Sequence, residues 1–553
     1  MDKLKPKLFS VMKTYTREQL VKDVVAGVIV AIIALPLSIA LALASGVTPE
    51  KGIYTAIVAG FLISFLGGSR VQISGPTAAF ATIVAGIVAQ NGMEGLVLAT
   101  LMAGLILILM GIFRLGNLIK FIPYTITTGF TSGIAVTILV GQIKDFLGLT
   151  VVTQEPLIET MEKIEAVIAN IHTTNWQAVI VGIVSMAILI GWPYLPGLFK
   201  RIPPSLIAVL AGIAMVSGLG MKVNTIGDLY EISNTLPGFS LPVFHFDLVK
   251  TVLPDAVTIA VLAAIESLLS CVVADGMINS KHRSNMELVA QGTGNIASAL
   301  FGGIPATGAI ARTAANIKNG GRTPIAGMVH AVTLLLILVV LMPYAALIPM
   351  PTIAAILFMV AYNMSEWRKF VSLCKKAPKS DIMVLVTTFV LTVVFDLVVA
   401  IEVGILLAAI LFMKRMSDVT EVEGWKYIDE EDEAKQDPDA LSLRQVPAHT
   451  FVYEVSGPLF FGAADKILKI TVSEGQKCLV LRMRSVSAID ATAMHNLEQL
   501  YHNCKKKQVQ LIFSHVNEQP MNVMKKSGFV EKVGEEYFCG HIDEALSKAE
   551  SVE

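Results

Sequence analysis

The chain has 553 residues, 54% of them hydrophobic and 16% charged, with a mean hydropathy of +0.66. So apolar a composition excludes an ordinary soluble globular protein and makes lipid part of its solvent. A formal net charge of -1 gives neither a basic excess for nucleic acid nor an acidic excess for a polycation.

The stretch Met1 to Lys22 carries Lys3, Lys5, Lys7, Lys13, Arg17 and Lys22 but lacks the apolar core and cleavage site of a secretory signal. It reads as a cytoplasmic arm. Long apolar runs begin at Val24–Ala44, recur through Phe301 and resume from Ile325 to Met413. About ten of them can cross a hydrocarbon core of about 30 Å. Four further segments, near Ile53–Leu66, Thr77–Ala89, Met286–Leu300 and Ala309–Ile317, are short or broken by Gly and Pro, and counting them predicts fourteen spans. An even count puts both termini on one side. Arg368, Lys369, Lys375, Lys376, Lys379 and the Lys414-Arg415 pair mark that side as cytoplasmic, while Glu155, Glu159, Glu162 and Glu165 suit the outer face.

Within the spans, Ser74-Gly75-Pro76-Thr77-Ala78-Ala79-Phe80 is echoed by Gly303-Ile304-Pro305-Ala306-Thr307-Gly308-Ala309, each placing Pro and Thr before small residues. The spans opening at Asp23 and Asp255 show a comparable offset, so the two halves read as related units. In transporters built from inverted repeats, broken helices start near the bilayer midplane, where free N–H groups and the helix dipole attract anions. A helix over Ala309–Asn319 would be about 16 Å long, roughly half the hydrocarbon thickness. Small side chains let a ligand approach the amides, and the hydroxyls of Thr77 and Thr307 are candidate donors. Ordinary small-residue packing explains one such segment more easily than two matched ones.

Glu266 interrupts Val261-Leu-Ala-Ala-Ile-Glu-Ser-Leu-Leu-Ser270, where an ionised carboxylate costs about 2.5 to 3.5 kcal/mol on insertion scales. It must be protonated, paired or hydrated. A carboxyl that alternates between ionised and neutral forms can carry a proton across, and Ser270 lies one turn along on the same side. Anchoring of helices against Arg312 and coordination of sodium are the alternatives. Arg312 would add fixed positive potential beside an anion site, or serve in a buried ion pair. Asp23, Asp145, Asp275, Asp396 and Glu402 lie near span ends and receive no transport role, and His330 and His245 read as packed or interfacial.

After Arg415 the composition changes to a charged linker, Glu421 to Arg444, with the run Asp429-Glu430-Glu431-Asp432-Glu433 and then Asp437-Pro438-Asp439. The expected divisions are an arm over 1–22, a membrane domain over 23–416, a linker over 417–448 and a soluble domain over 449–553. In the last, Thr450–Val455, Cys478–Met483 and Val509–Phe513 read as buried strands and Ala491–Cys504 as a helix, giving a small α/β domain. Cys271, Cys374, Cys478, Cys504 and Cys539 are scattered without metal-ligand spacing, so reduced thiols and no metal are expected. There is no phosphate loop and no nucleophile with a base, which argues against an enzyme.

In order along the chain, Ala34-Leu35-Pro36, the Ser74–Phe80 segment, Ile265-Glu-Ser-Leu-Leu269, Gln291-Gly-Thr-Gly-Asn295, Ala311-Arg-Thr-Ala-Ala-Asn316 and Asp396-Leu-Val-Val-Ala-Ile-Glu402 resemble the sulfate permease family, also called solute carrier family 26. The resemblance spans nearly the whole chain. It implies an all-α polytopic membrane domain of fourteen spans, a 7+7 inverted repeat whose core module moves against a gate module, followed by a small α/β STAS domain of the kind found in anti-sigma factor antagonists. It implies a homodimer in the cell membrane, without cofactor or nucleic acid, and a cytosolic protein partner for the STAS domain. By the same resemblance the anion is held by Thr77, Ala78, Ala79 and Phe80 in the third span and by Ala306, Thr307, Gly308, Ala309 and Arg312 in the tenth, and the eighth-span acid that serves the coupling ion is Glu266; Ser270, one turn along by helical spacing, is the second ion-coupling candidate. Two positions depart from the pattern: Leu37 stands where many members have Gln, and Leu41 where they have an aromatic residue. The expected activity is secondary active transport of a sulfate-type inorganic anion or a C4-dicarboxylate, coupled to protons. The competing readings are a sodium-coupled bicarbonate symporter, in which Asp is typical at the Glu266 position, an uncoupled exchanger or channel, and a membrane-anchored regulator. Ile489-Asp-Ala-Thr-Ala493 resembles the loop that carries a phosphorylatable hydroxyl in anti-sigma factor antagonists and puts Thr492 near that position, without the usual Ser-Gly context.

Overall fold

The computed structural model describes residues 4–117, 123–151, 157, 159–196, 202–230, 232, 235–242, 246–395, 397–425, 446–447, 449–471 and 475–552. Lys3, Glu155, His245, Asp396, the acidic run 429–433 and the segment 437–439 lie outside these residues. The chain divides into two compact units, Met1–Ile405 and Leu406–Glu553.

The first unit is helical. Helix α1 (Arg17–Ala44) starts earlier than its apolar run because Thr16 caps it, its hydroxyl accepting the Gln19 N–H at 3.2 Å. Helix α2 (Pro49–Leu66) opens on a proline, whose missing N–H would be unpaired there anyway. A two-residue strand, β1 (Ser74–Gly75), leads into α3 (Ala78–Ile112), which breaks where Gly92 takes φ +66° and so forms two helices in succession. The next helices are α4 (Tyr124–Leu147), α5 (Thr160–Asn170), α6 (Trp176–Gly191) and α7 (Pro204–Ile213). The second half repeats the pattern of long helix, short strand and short helix. It contains α8 (Phe246–Ile278), α9 (Ser284–Leu300), β2 (Thr307–Gly308) and α10 (Ile310–Lys318), then α11 (Ile325–Ala345), α12 (Met350–Ser365), α13 (Trp367–Lys376) and α14 (Lys379–Val394). At 1.5 Å per residue α10 is about 14 Å long.

Among the described residues, seven helices are long and apolar enough to cross a membrane by length and composition: α1, α2, α3, α4, α6 with the turn that follows it, α8 and α11. Packing sorts the unit into two sets. In one, α3 lies against α8 and α9, and α11 lies against α1 and α2; in the other, α4 packs on α12 and α14, and α12 on α6. The short strands and α10 belong to the first set, since α10 and β2 both rest on α8.

Helix α15 (Leu397–Val419) carries the chain into the second unit. There β3 (Glu421–Trp425), β4 (Thr450–Ser456), β5 (Cys478–Ser485), β6 (Gln510–Ser514) and β7 (Phe538–Cys539) form one sheet in that order. β3 is antiparallel to β4 and the remaining neighbours are parallel. Leu479 and Leu481 enter the core beneath α16 (Ala491–Lys506), while Cys478 and Val480 face α18 (Ile542–Ser551), with α17 (Glu518–Lys526) in between along the chain. That alternation of two buried faces is why the first half of β5, Cys478 to Leu481, reads as a continuous apolar run. β3 falls inside the stretch that reads as charged linker, where the high charge content hides a five-residue extended segment.

Candidate functional site

β1 and β2 pair antiparallel, Ser74 opposite Gly308 and Gly75 opposite Thr307. Because the two chains run in opposite senses there, the helices that follow them, α3 and α10, leave in opposite directions with both N-termini at the crossing. First-turn N–H groups have no intrahelical acceptor, and each helix start carries a partial positive charge. Side chains fix the crossing to its surroundings. Asn295 on α9 accepts the Ala306 N–H at 2.8 Å and donates to the Ala306 carbonyl at 2.9 Å. On α10, the Thr313 hydroxyl accepts the Ile73 N–H at 3.0 Å and Asn316 donates to the Val71 carbonyl at 2.8 Å.

Arg312 is 2% exposed. Its Nη2 donates to the Pro76 carbonyl at 3.1 Å, and its Nη1 sits over Gly75, where a Cβ would approach to 2.7 Å. Only glycine leaves room for the guanidinium at that point. Among the described residues Nε and Nη1 have no hydrogen-bond partner, and no ion pair joins Arg312 to Glu266. A buried cation without an adjacent carboxylate leaves its positive field acting on the crossing.

Glu266 on α8 is half-buried, as is Thr77, and the Thr77 hydroxyl donates to its Oε2 at 2.9 Å. Thr307 is buried and donates to the Ala263 carbonyl of the same helix at 2.9 Å. Both candidate hydroxyls are thus engaged by α8, one by a side chain and one by the backbone. Ser270 donates to Thr313 at 3.4 Å and so joins α8 to α10. Ala78, Ala79, Phe80, Ala306 and Gly308 are buried, Ala309 is half-buried, and Ile310 is 44% exposed, which makes the first turn of α10 the open end. Leu37 is half-buried and Leu41 buried on α1. His330 is fully buried on α11. In the second unit Thr492 is exposed in the first turn of α16, beside Asp490, which caps that helix by accepting the Ala493 N–H at 2.8 Å.

Glu287, Gln72 and Gln291 are buried beside the crossing and are joined by hydrogen bonds, although no sequence motif assigned Glu287 or Gln72 a role. The available signal was an acid inside the Met286–Leu300 span, the same anomaly that singled out Glu266.

A family model described as the sulfate permease family matches residues 20–388, and one described as the STAS domain matches 440–549. The protein named "Putative sulfate transporter YvdB" of Bacillus subtilis is 40% identical over 538 residues, covering 96% of this chain and 98% of its own. "Bicarbonate transporter BicA" of Picosynechococcus sp. is 29% identical, covering 95% and 94%. The solved structure of SLC26A9 shares the fold, with a TM-score of 0.87 at 18% identity over 99% of this chain and 93% of that one. The chain therefore belongs to the sulfate permease family, whose members are multi-pass membrane anion transporters rather than enzymes, and it carries that family's STAS domain.

Proposed function

We propose that the protein is a proton-coupled secondary active transporter of a sulfate-type inorganic anion or a C4-dicarboxylate. The anion rests between the starts of α3 and α10, against Thr77 to Phe80 and Ala306 to Ala309, in the field of Arg312. Glu266 carries the proton. The observation that carries this reading is the 2.9 Å hydrogen bond from Thr77 to Glu266, which makes a change of protonation on α8 felt at the start of α3. Loading a proton on Glu266 removes a negative charge from beside the anion, so proton and anion bind together more readily than either alone. The first packing set then moves against the second as alternating access requires. The same reading counts fourteen spans: α1, α2, the two halves of α3, α4, α6, α7, α8, α9, α10, α11, α12, α14 and α15. It places the protein in the cell membrane as a homodimer, both termini in the cytoplasm, with the domain limits given above and a cytosolic partner for the STAS domain.

Sodium-coupled bicarbonate transport is the second reading, supported by the similarity to proteins named bicarbonate transporter. Uptake of labelled sulfate, bicarbonate and succinate by purified protein in liposomes, with and without an inward proton gradient, separates the two. Gradient-driven uptake of sulfate or succinate that Glu266→Gln abolishes is the expected result. Sodium-driven bicarbonate uptake would establish the second reading, and gradient-independent flux that survives the substitution would refute coupling through Glu266.

A further inference from the structure

Behind the β1–β2 crossing lies a buried carboxylate that the transport reading does not use. Glu287, in the first turn of α9, is 1% exposed. Its Oε2 accepts the backbone N–H groups of Gly68 at 2.8 Å and Ser69 at 3.2 Å, in the turn between α2 and β1. Its Oε1 accepts from Gln72 Nε2 at 2.8 Å, Gln291 Nε2 at 3.0 Å and Ser267 Oγ at 3.2 Å. All five partners donate to it, the pattern that suits a carboxylate. Among the described residues no ion pair reaches it, so N–H and O–H dipoles alone balance the charge.

The partners of Glu287 in turn hold both strands of the crossing. Gln291 donates its other amide hydrogen to the Ser74 hydroxyl of β1 at 3.3 Å. Gln72 lies directly under β2, because a methyl added at Gly308 would fall on its amide. The orientation of Gln72 is itself determined, its Nε2 donating also to Ser267 at 2.8 Å and its Oε1 accepting from the Cys271 thiol at 2.7 Å. A ladder of two residues cannot hold its own register, since so short a pairing has almost no cooperative support. The Glu287 cluster supplies what the ladder lacks.

We propose that Glu287 is the positioning residue of the anion site: its charge locks Gln72 and Gln291 against the two strands and so sets how the starts of α3 and α10 converge. The inference rests on the crossing being the place where the anion binds. Glu287→Gln conserves volume but turns an N–H2 group toward donors. In the double variant Gln72→Glu with Glu287→Gln the carboxylate moves across the cluster: position 72 still accepts from the Cys271 thiol and now accepts from the Ser267 hydroxyl, which turns to donate to it, and the new amide at 287 can donate to it while accepting from Gly68 and Ser69.

The test uses the full-length protein in two assays, backbone deuterium exchange over residues 67–76 and 304–309, and the KM for liposome uptake of labelled sulfate and bicarbonate. Glu287→Gln is expected to speed exchange in both segments and raise KM at least tenfold while the maximal rate falls less than threefold. The double variant is expected to recover most of both losses. Unchanged exchange in Glu287→Gln, or a double variant no better than the single one, overturns the proposal alone. Faster exchange with unchanged KM overturns the crossing as the anion site, and the positioning role with it. Should Glu287→Gln not fold, Gln291→Leu removes one donor and keeps the carboxylate; it is expected to change exchange and KM in the same direction by a smaller factor, and no change in either overturns the proposal.

Discussion

Replacing Gly75 by alanine tests whether the placement of Arg312 matters to the anion or only to packing. The new methyl would lie 2.7 Å from Arg312 Nη1 and 3.5 Å from Ala56. Ordinary contact begins near 3.5 Å, so the guanidinium must retreat by roughly 0.8 Å. Its long side chain can do so without moving the backbone, which keeps the packing cost at or below the low end of the usual 1–3 kcal/mol for overfilling a core. What the retreat breaks is the 3.1 Å bond from Nη2 to the Pro76 carbonyl, which lengthens beyond hydrogen-bond range. Bonds to charged groups contribute about 1.5–3 kcal/mol. If about half of that is felt where the guanidinium acts, the loss is about 0.8–1.5 kcal/mol, or about four- to twelvefold in affinity. The assay is the concentration dependence of uptake in liposomes, with thermal unfolding of the same preparation beside it. A rise in KM of about four- to twelvefold with a nearly unchanged unfolding temperature is expected. A KM within twofold of the parent together with a large fall in unfolding temperature would show that the methyl is felt as packing alone, and would refute the reasoning.

Asp23 is buried at the start of α1 and accepts from Tyr15 Oη at 3.0 Å, Gln19 Nε2 at 2.9 Å, the Arg322 N–H at 2.9 Å and the Thr323 hydroxyl at 2.5 Å. Asp23→Asn turns a donor toward donors and should destabilise the first unit by about 1–3 kcal/mol, read as a lower unfolding temperature in detergent; an unchanged one would sink the idea that this cluster clasps α1 to α11. Burial pushes the Cys504 thiol up to about 12 and raises that of Cys539, and only a thiolate attacks alkylating reagents. Cys504 therefore stays protonated and slow to react with N-ethylmaleimide from pH 7 to 9, and Cys539 is slowed in the same direction, while half-buried Cys374 is labelled; native-state labelling of Cys504 at the Cys374 rate, measured by mass spectrometry, would contradict the packing of α16. Asp490 accepts both the Ala493 N–H and, at 2.8 Å, the Phe461 N–H, so Asp490→Ala should cost about 1–2 kcal/mol and speed amide exchange along α16 in the full chain. Exchange no faster than the parent's would show that neither bond matters.

The parts of this fold that announce themselves in sequence are those whose cause is local. The apolar runs, the buried strand Cys478–Met483 and the short helix after Thr307 each follow from a few consecutive residues, and the structure places them within a few positions of where they were expected. Thr77 stands out through the two matched Pro-and-Thr segments and Glu266 because it breaks an apolar run, and the structure joins them. The Glu287 cluster was not legible in that way. Three of its five donors, Gly68, Ser69 and Gln72, stand more than two hundred residues away along the chain, and nothing in a local window pairs them with the acid. The hydroxyls show the converse. Thr77 and Thr307 look free in sequence, yet both donate to α8, because a buried hydroxyl takes whatever acceptor the neighbouring helix offers.

The strand β3 follows α15 after a single residue, Thr420, whose hydroxyl donates to the Pro458 carbonyl at 3.0 Å, and Lys466 reaches the Ser417 carbonyl at 2.7 Å. Five residues of β3 cover the outer side of β4. A fragment begun at residue 449, where composition suggests the soluble domain starts, would leave that side of β4 as a bare row of N–H and C=O groups, the kind of surface on which a second molecule adds a strand. A fragment begun near Ser417 keeps its own cover, so the difference between a well-behaved soluble piece and an aggregating one lies in a stretch of chain that looks, from its charge, like mere tether.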